Sequence, residues 1–271
     1  MNEEQKYIFD LQGFLVIESA LTQAEVDELN AIIDAMPSWE ERTGSRHVHT
    51  GMDEEHVLRT PTDPTTGLVN FYSGLLLDWG APFRKLVGHQ SILPLIKELV
   101  GETARLDHQY AIFQRNLDSV AGTLSIHGGG IPYNPAESYH FRGGRSFNGL
   151  TVFSFALTDV PEGSGGFCCL PGSHKSNLPV PPRLRLLFPP VKPVKQVPVR
   201  AGDVIVFTEA LSHGTLQWTA PHERRAILFK YCPGYMQWER NSPYTSLDFD
   251  WSPEQRELLR SPYVGGREPL T

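Results

Sequence analysis

The spacing of apolar residues over the first hundred positions predicts one strand followed by helices. Residues 13–18 form a short apolar run that is typical of a strand. Thr22 and Glu25 then have the spacing of a helix-capping pair, and apolar side chains follow them at helical intervals. Residues 71–100 predict two more helices, the second of which covers residues 91–101.

From about residue 105 the pattern changes to short runs rich in β-branched and aromatic residues, separated by glycine, proline and aspartate. These runs are 107–115, 123–127, 149–158, 166–170, 196–200, 203–208 and 224–231. Short strands at this spacing are typical of an antiparallel sandwich or barrel. The proline-rich stretch 179–194 cannot be regular sheet. Ser252, followed by Pro253, predicts the start of a short final helix.

Helices followed by a series of short strands define an α+β domain. The strands fit a double-stranded β-helix, the jelly-roll or cupin-like arrangement, over about residues 105–235, with flanking N-terminal helices. A chain of 271 residues is long enough for one large core and short for two. We therefore expect a single domain over residues 1–271.

Composition and charge narrow the classes of function. The formal net charge is −7 and hydrophobic residues make up 40% of the chain, which fits a globular protein and argues against binding to a nucleic acid polymer. No apolar run has the length of a signal peptide or a membrane span, so we expect a cytoplasmic protein without membrane contact. The three cysteines have neither the number of a disulfide framework nor the spacing of a zinc site.

Three fragments carry residue types suited to a metal centre. They are LSIHGGG at 124–130, GGFCCLPGSHK at 165–175, and AGDVIVF, LSHGT and RRAIL within 201–228. Imidazole groups such as those of His127 and His213 suit iron(II), and Arg224 offers a strong two-point contact for a carboxylate. Alone these features are weak, because a strand histidine is more often a packed or surface residue than a ligand.

Together the fragments resemble the phytanoyl-CoA dioxygenase family of iron(II)- and 2-oxoglutarate-dependent enzymes. The PGSHK and GDVIVF segments and the eleven-residue spacing from His213 to Arg224 are specific to this resemblance. It implies that His127 and His213 bind iron(II) and that Arg224 and Thr215 hold 2-oxoglutarate, with O2 as the second cosubstrate. It also implies a structural role for His174 in the PGSHK turn.

Position 129 departs from the family's pattern, in which a carboxylate two residues after the first histidine completes the metal site. Gly129 has no side chain. The preferred interpretation is an open position for chloride, because His127-Gly128-Gly129 is similar to the pattern of related 2-oxoglutarate halogenases. The enzyme would then chlorinate an unactivated carbon.

A glycine at position 129 is also compatible with a hydroxylase or with an inactive protein. A different carboxylate, from Glu137, Asp159 or Glu209, could complete the site for a hydroxylase, and a bare two-histidine site with water would serve the same reaction. The metal site could also be degenerate, so that the protein is a ligand-binding scaffold on an old enzyme fold.

The substrate prediction depends on basic residues in the long polar connection 38–67. The candidate substrate-binding residues are Arg42, Arg46, His47 and Arg59 from this connection, together with His108. Such residues suit an anionic small molecule, since guanidinium groups pair well with phosphate. The combination resembles halogenases of free purine nucleotides and predicts a deoxyadenosine-type substrate in secondary metabolism, such as antibiotic biosynthesis. The connection could close as a lid, or it could be a plain solvated loop.

Overall fold

Eleven strands in three antiparallel sheets lie at the centre of the described chain, with six α-helices around them. The computed structural model describes residues 1–36, 68–73, 76–116, 125–187, 192–239, 244 and 248–265, and for 68–73 the backbone alone. The helices are α1 (Glu3–Gln12), α2 (Gln23–Asp34), α3 (Ala81–Lys85), α4 (Leu93–Leu99), α5 (Pro182–Arg185) and α6 (Pro253–Leu258). The strands are β1 (Phe14–Ile17), β2 (Leu68–Ser73), β3 (Arg105–Gln114), β4 (Tyr139–Arg142), β5 (Arg145–Asn148), β6 (Thr151–Ala156), β7 (Gly166–Cys169), β8 (Lys195–Gln196), β9 (Val204–Thr208), β10 (His213–Leu216) and β11 (Arg224–Cys232).

Two of the sheets build the jelly-roll core. The larger sheet has the strand order β1-β9-β6-β11-β3-β2, the smaller has the order β10-β7-β8, and β4 and β5 pair as a separate hairpin. Apolar side chains of the larger sheet pack against Phe167 and Cys169 of the smaller one. This arrangement confirms the predicted α+β class and the double-stranded β-helix core.

The two faces of the larger sheet have different partners, because successive side chains of a strand point to opposite sides. On β11, Ile227 and Phe229 belong to the cluster that the helices cover, together with Leu29 of α2. Ala226 and Leu228 point instead to the space between the two sheets. Functional side chains at the even-numbered positions of β11 therefore face the interior of the jelly roll.

The PGSHK turn fastens α1 to the strand core. The helix ends at Gly13, which has a positive φ of 86°, and the Gly172 N–H donates to the Gln12 carbonyl at 3.0 Å. The buried imidazole of His174 contacts the Asp10 carbonyl through Nε2 at 3.0 Å. His174 thus holds backbone groups at the end of a helix.

Several predicted elements are confirmed within one or two residues. The strand at 13–18, the helix after Thr22 with its capping pair to Glu25, and the final helix after Ser252 are all present. The prediction for 71–100 was partly wrong, because β2 extends to Ser73 before the two helices begin. Of the predicted strand at 123–127, residues 123 and 124 lie outside the described residues, and Ser125 and His127 form isolated bridges and not a strand.

Candidate metal and cosubstrate site

Backbone pairing brings His127 and His213 together although 85 residues separate them in the chain. The His127 N–H donates to the His213 carbonyl at 2.8 Å, and the His213 N–H donates to the His127 carbonyl at 3.0 Å. Their ring centroids lie 4.2 Å apart. His127 is exposed and His213 is buried, so the pair extends from the interior to the mouth of the jelly roll.

Glu209 is the third member of this cluster. One donor atom each of His127, Glu209 and His213 lies within 4.8 Å of the others. Glu209 follows β9 directly, and the turn that leads back to His213 closes with a 2.9 Å bond from the Leu211 N–H to the Thr208 carbonyl. Two imidazoles and one carboxylate form the donor set that non-haem iron(II) oxygenases use. The chemistry of these side chains therefore fits iron(II).

A buried lysine keeps the Glu209 carboxylate ionised. Lys230 Nζ lies 2.6 Å from Glu209 Oε1, and both side chains are about nine-tenths buried. Burial by itself would raise the pKa of Glu209, but the Lys230 ammonium outweighs it and the pKa falls to about 2. The same ammonium lies 5.2 Å from the centroid of the Tyr110 ring and bonds to its hydroxyl group.

Local contacts also fix His213 in the form that a metal requires. Its Nδ1 lies 2.7 Å from the Leu211 carbonyl, so Nδ1 carries the proton and Nε2 keeps its lone pair. Burial lowers the pKa of His213 to about 4. The ring is therefore neutral at pH 7, which is the state of an imidazole that binds a metal.

Arg224 is a buried cation that no carboxylate of the described residues neutralises. The guanidinium donates through Nη1 to Gln114 Oε1 at 2.7 Å, and its Nε has no hydrogen-bond partner among the described residues. Burial lowers the pKa of Arg224 to about 10, and no carboxylate in the described ranges forms an ion pair with it. A buried, incompletely bonded guanidinium fits the distal carboxylate of 2-oxoglutarate.

A glycine next to Arg224 leaves its guanidinium uncrowded. A Cβ on Gly166 would lie 3.1 Å from Arg224 Nε, so the glycine keeps the guanidinium uncrowded. Thr215 is half-buried on β10, two residues after His213 and therefore on the same face of the strand. Arg225 points to the opposite face of β11, where it pairs with Asp34 and Glu223.

The space next to Gly129 is taken by another residue. Gly129 has a φ of +106°, and a Cβ built on it would lie 2.6 Å from Ser212 Oγ. The three protein atoms nearest to that Cβ belong to Ser212 and Val180, and no donor atom of the histidine–glutamate cluster is among them. A carboxylate at position 129 would therefore need Ser212 to move.

The remaining carboxylates proposed from the sequence have other surroundings. Asp159 accepts a hydrogen bond from the Ala201 N–H at 2.8 Å, which gives it a structural role in a turn. Glu137 is half-buried, and burial followed by repulsion from Glu209 raises its pKa. Glu137 thus lies near the cluster without joining it.

The predicted substrate residues are placed only in part. Arg42, Arg46, His47 and Arg59 lie outside the described residues. His108 is on the interior face of β3, stacked on Tyr110 with ring centroids 6.0 Å apart. Arg105 precedes His108 by three residues on the same strand. Its side chain is fully buried and contacts Asp107 and the carbonyls of Met236 and Arg260.

The fold and this donor set define a non-haem iron(II)- and 2-oxoglutarate-dependent oxygenase class. The model of the family described as phytanoyl-CoA dioxygenase (PhyH) matches residues 9–226. The chain belongs to this family, which confirms the resemblance found in the sequence fragments. In the described residues, no helix is long and apolar enough to cross a membrane.

The individual proteins that are similar to this chain have low sequence identity to it. Ectoine dioxygenase of Nocardia farcinica (strain IFM 10152) is 26% identical over 179 residues, which cover 66% of this chain and 53% of that protein. The chain therefore spans about half the length of this curated relative.

Solved structures share the fold. HygX of Streptomyces hygroscopicus, with nickel and 2-oxoglutarate bound, has a TM-score of 0.68 at 23% identity, covering 88% of this chain and 90% of that one. A further HygX structure contains iron. SnoK, a non-heme alpha ketoglutarate dependent carbocyclase from nogalamycin biosynthesis, has a TM-score of 0.60 at 20% identity and covers 99% and 96% of the two chains.

Proposed function

We propose that the chain is an iron(II)- and 2-oxoglutarate-dependent oxygenase that hydroxylates a small molecule. In this proposal the metal ligands are His127, His213 and Glu209. The observation that carries it is the approach of one carboxylate and two imidazole donors to within 4.8 Å. Glu209 then supplies, from the β9–β10 turn, the carboxylate that the family places at position 129.

The protein's own groups have separate tasks in this reaction. Arg224 and Thr215 hold 2-oxoglutarate, and the Leu211 carbonyl and Lys230 orient His213 and Glu209. Bound iron(II), with 2-oxoglutarate and O2, supplies the oxidising chemistry. The interior of the jelly roll excludes water around Arg224, which strengthens its attraction for a carboxylate.

An anaerobic titration tests the ligand set. Apo-protein is titrated with iron(II) in the presence of 2-oxoglutarate and followed by visible absorption, for the wild type, Glu209→Ala and Glu137→Ala. We expect a charge-transfer band in the wild type and in Glu137→Ala. In Glu209→Ala we expect iron affinity to fall at least about tenfold. Equal affinity in all three proteins would remove Glu209 from the metal site.

Halogenation is the second candidate, and the glycine at position 129 is the observation that favours it. In that case chloride would complete the site and Glu209 would serve only as the partner of Lys230. The substrate would then be a small anion such as a deoxyadenosine-type nucleotide, held by residues of the 38–67 connection. The Glu209 carboxylate beside the two histidines favours the hydroxylase instead.

Chloride addition separates the two candidates in the same titration. If Glu209 is a ligand, chloride leaves the wild-type band unchanged and shifts the band of Glu209→Ala, where a position has been vacated. If chloride binds at the position beside Gly129, the wild-type band shifts and Gly129→Asp abolishes that shift. Mass spectrometry of products from deoxyadenosine monophosphate and from hygromycin B, the ligand in one HygX structure, would then show chlorine or oxygen insertion.

A further inference from the structure

An irregularity in β3 places two neighbouring side chains in contact. Lys230 pairs with His108 and Tyr231 pairs with Leu106, so Asp107 is an extra residue without a partner on β11. On a regular strand, consecutive side chains point to opposite faces. A bulge removes this constraint and redirects a side chain, and bulges recur beside active sites for that reason.

The bulge forms an aspartate–histidine pair. His108 Nδ1 lies 2.6 Å from Asp107 Oδ2, and Asp107 is fully buried. The Asp107 carboxylate also accepts the backbone N–H groups of Trp238 at 2.8 Å and Glu239 at 3.1 Å. A carboxylate held on several sides fixes the orientation of the His108 ring, so that the neutral ring carries its proton on Nδ1 and its lone pair on Nε2.

His108 lies beside the residues that position Glu209. His108 stands directly opposite Lys230 in the strand register, and Lys230 contacts Glu209. The His108 ring stacks on Tyr110, the other residue that Lys230 contacts. About a fifth of the His108 side chain is exposed, and Nε2 has no hydrogen-bond partner within the described ranges.

The charges at this end favour a hydroxyl group over a phosphate. The Lys230 ammonium is already bound to Glu209 and Tyr110, and the Arg105 guanidinium is buried against Asp107. Glu137 adds a half-buried carboxyl group near Glu209. Among the described residues next to His108, Lys230 and Arg105 are thus already engaged, while His108 Nε2 is free to accept, which suits a ligand that donates a hydrogen bond.

We infer that the Asp107–His108 pair is a substrate-positioning site whose Nε2 accepts a hydrogen bond from a hydroxyl group of a polyhydroxylated, non-phosphorylated ring. This inference rests on the proposed function, because it places the hydroxyl beside the metal ligands. It replaces the nucleotide expectation with a neutral or cationic ring substrate for this end of the site.

Histidine nitrogen NMR tests the contact directly. Protein labelled with 15N-histidine is titrated at millimolar concentration with myo-inositol, methyl glucoside, hygromycin B and deoxyadenosine monophosphate. Each titration is run on apo-protein and on protein loaded with zinc and 2-oxoglutarate. We expect at least one hydroxylated ring to shift the His108 Nε2 resonance while Nδ1 stays protonated. His140→Gln, which removes an exposed histidine on β4, serves as the assignment control.

The test is completed by calorimetry, which measures the affinity of each variant for the ring compound that shifts the His108 resonance. His108→Phe removes the acceptor, so binding should weaken about tenfold, whereas His108→Gln keeps an acceptor oxygen and should retain most of it. Absence of any shift from the three hydroxylated probes, or a shift from deoxyadenosine monophosphate alone, would overturn the inference. Loss of 2-oxoglutarate binding in the wild type would instead count against the proposed function, because the apo titration reports on His108 without the metal.

Discussion

At the scale of single residues, the ionised state and direction of Glu209 depend on Lys230. The two charged groups lie 2.6 Å apart in a buried setting. Removing one member of a buried pair leaves the other uncompensated, which is costly. Lys230 thus positions Glu209, the proposed metal ligand. For this role the charge of the Lys230 side chain matters more than its length.

Lys230→Met should lower iron(II) affinity about ten- to a hundredfold, because Glu209 would lose the partner that keeps it ionised and oriented. Lys230→Arg keeps a cation and should retain most of the affinity. Anaerobic titration measures both, and circular dichroism checks that each variant is folded. If Met and Arg variants bind iron equally well, the positioning role is wrong.

Gly166 provides a second test at this scale, with a matched control in the preceding turn. Both Gly163 and Gly166 have a positive φ, of +80° and +81°, but only a Cβ at 166 would crowd Arg224. Gly166→Ala should therefore weaken 2-oxoglutarate binding several-fold beyond any effect of Gly163→Ala. Both variants should lose about 1 kcal/mol of stability from the backbone conformation. Equal 2-oxoglutarate affinities would show that Arg224 does not hold the cosubstrate.

At this scale the sequence indicated three residues of the candidate site directly and its third proposed metal ligand only as one of several alternatives. The three sequence fragments contain His127, His213 and Arg224 at the spacing that is typical of the family. These residues could therefore be named directly. Glu209 was one of three candidate carboxylates. Nothing in a linear sequence shows that the turn after β9 folds the Glu209 carboxylate back onto His127.

At the scale of elements, the contact between α1 and the PGSHK turn makes stability depend on pH. His174 is buried, and its Nδ1 has no hydrogen-bond partner among the described residues. Burial lowers the pKa of His174 to about 4 from an ordinary value of 6.5. The unfolded chain therefore takes up a proton at a higher pH than the folded one.

His174→Gln should reduce the decrease in the free energy of unfolding that occurs as the pH falls below neutral. In the wild type, the His174 contribution is complete above pH 6.5 and disappears as the pH falls toward 4, by roughly 2–3 kcal/mol in all. Glutamine can still donate to the Asp10 carbonyl but does not titrate. Urea unfolding at several pH values measures the slope, and the exposed His222→Gln is the control. An unchanged slope in His174→Gln would contradict the burial argument.

Elements with a strong local signal were predicted well, and those that depend on distant pairing were not. The capping pair of Thr22 and Glu25 is a local contact, so the helix start could be located from the sequence. The hairpin of β4 and β5 was not predicted. Polar and exposed residues such as Arg142 and Arg145 interrupt the alternation of apolar and polar positions that marks a strand. The segment around His127 has apolar residues but pairs only through isolated bridges.

At the scale of the whole molecule, the candidate site joins parts of both sheets. Glu209 follows a strand of the larger sheet and His213 begins the smaller one, while Arg224 lies on the larger sheet. Ligands that bind across this junction stabilise only the folded state. The jelly-roll class could be predicted from the number and spacing of short strands, whereas the division into two sheets follows from long-range register.

Iron(II) with 2-oxoglutarate should raise the midpoint of thermal unfolding. At a hundred times the dissociation constant the gain is about 2.7 kcal/mol, which corresponds to roughly 5–10 °C for a domain of this size. Differential scanning fluorimetry under nitrogen measures the shift. In Glu209→Ala, most of the iron-dependent increase in the unfolding midpoint should be lost. A full increase in that variant would argue for a metal site without Glu209.

The position of Glu209, four residues before His213, has a consequence for how chains of this kind are sorted. A search that requires a carboxylate two residues after the first histidine would discard this chain as a dead enzyme. If Glu209 completes the centre, the informative signature is a glycine at that position combined with Glu-x-x-x-His at the far end of the core. Chains with that pair of features could then be collected as a separate catalytic lineage, while chains with the glycine alone would remain candidates for halide chemistry or for loss of activity.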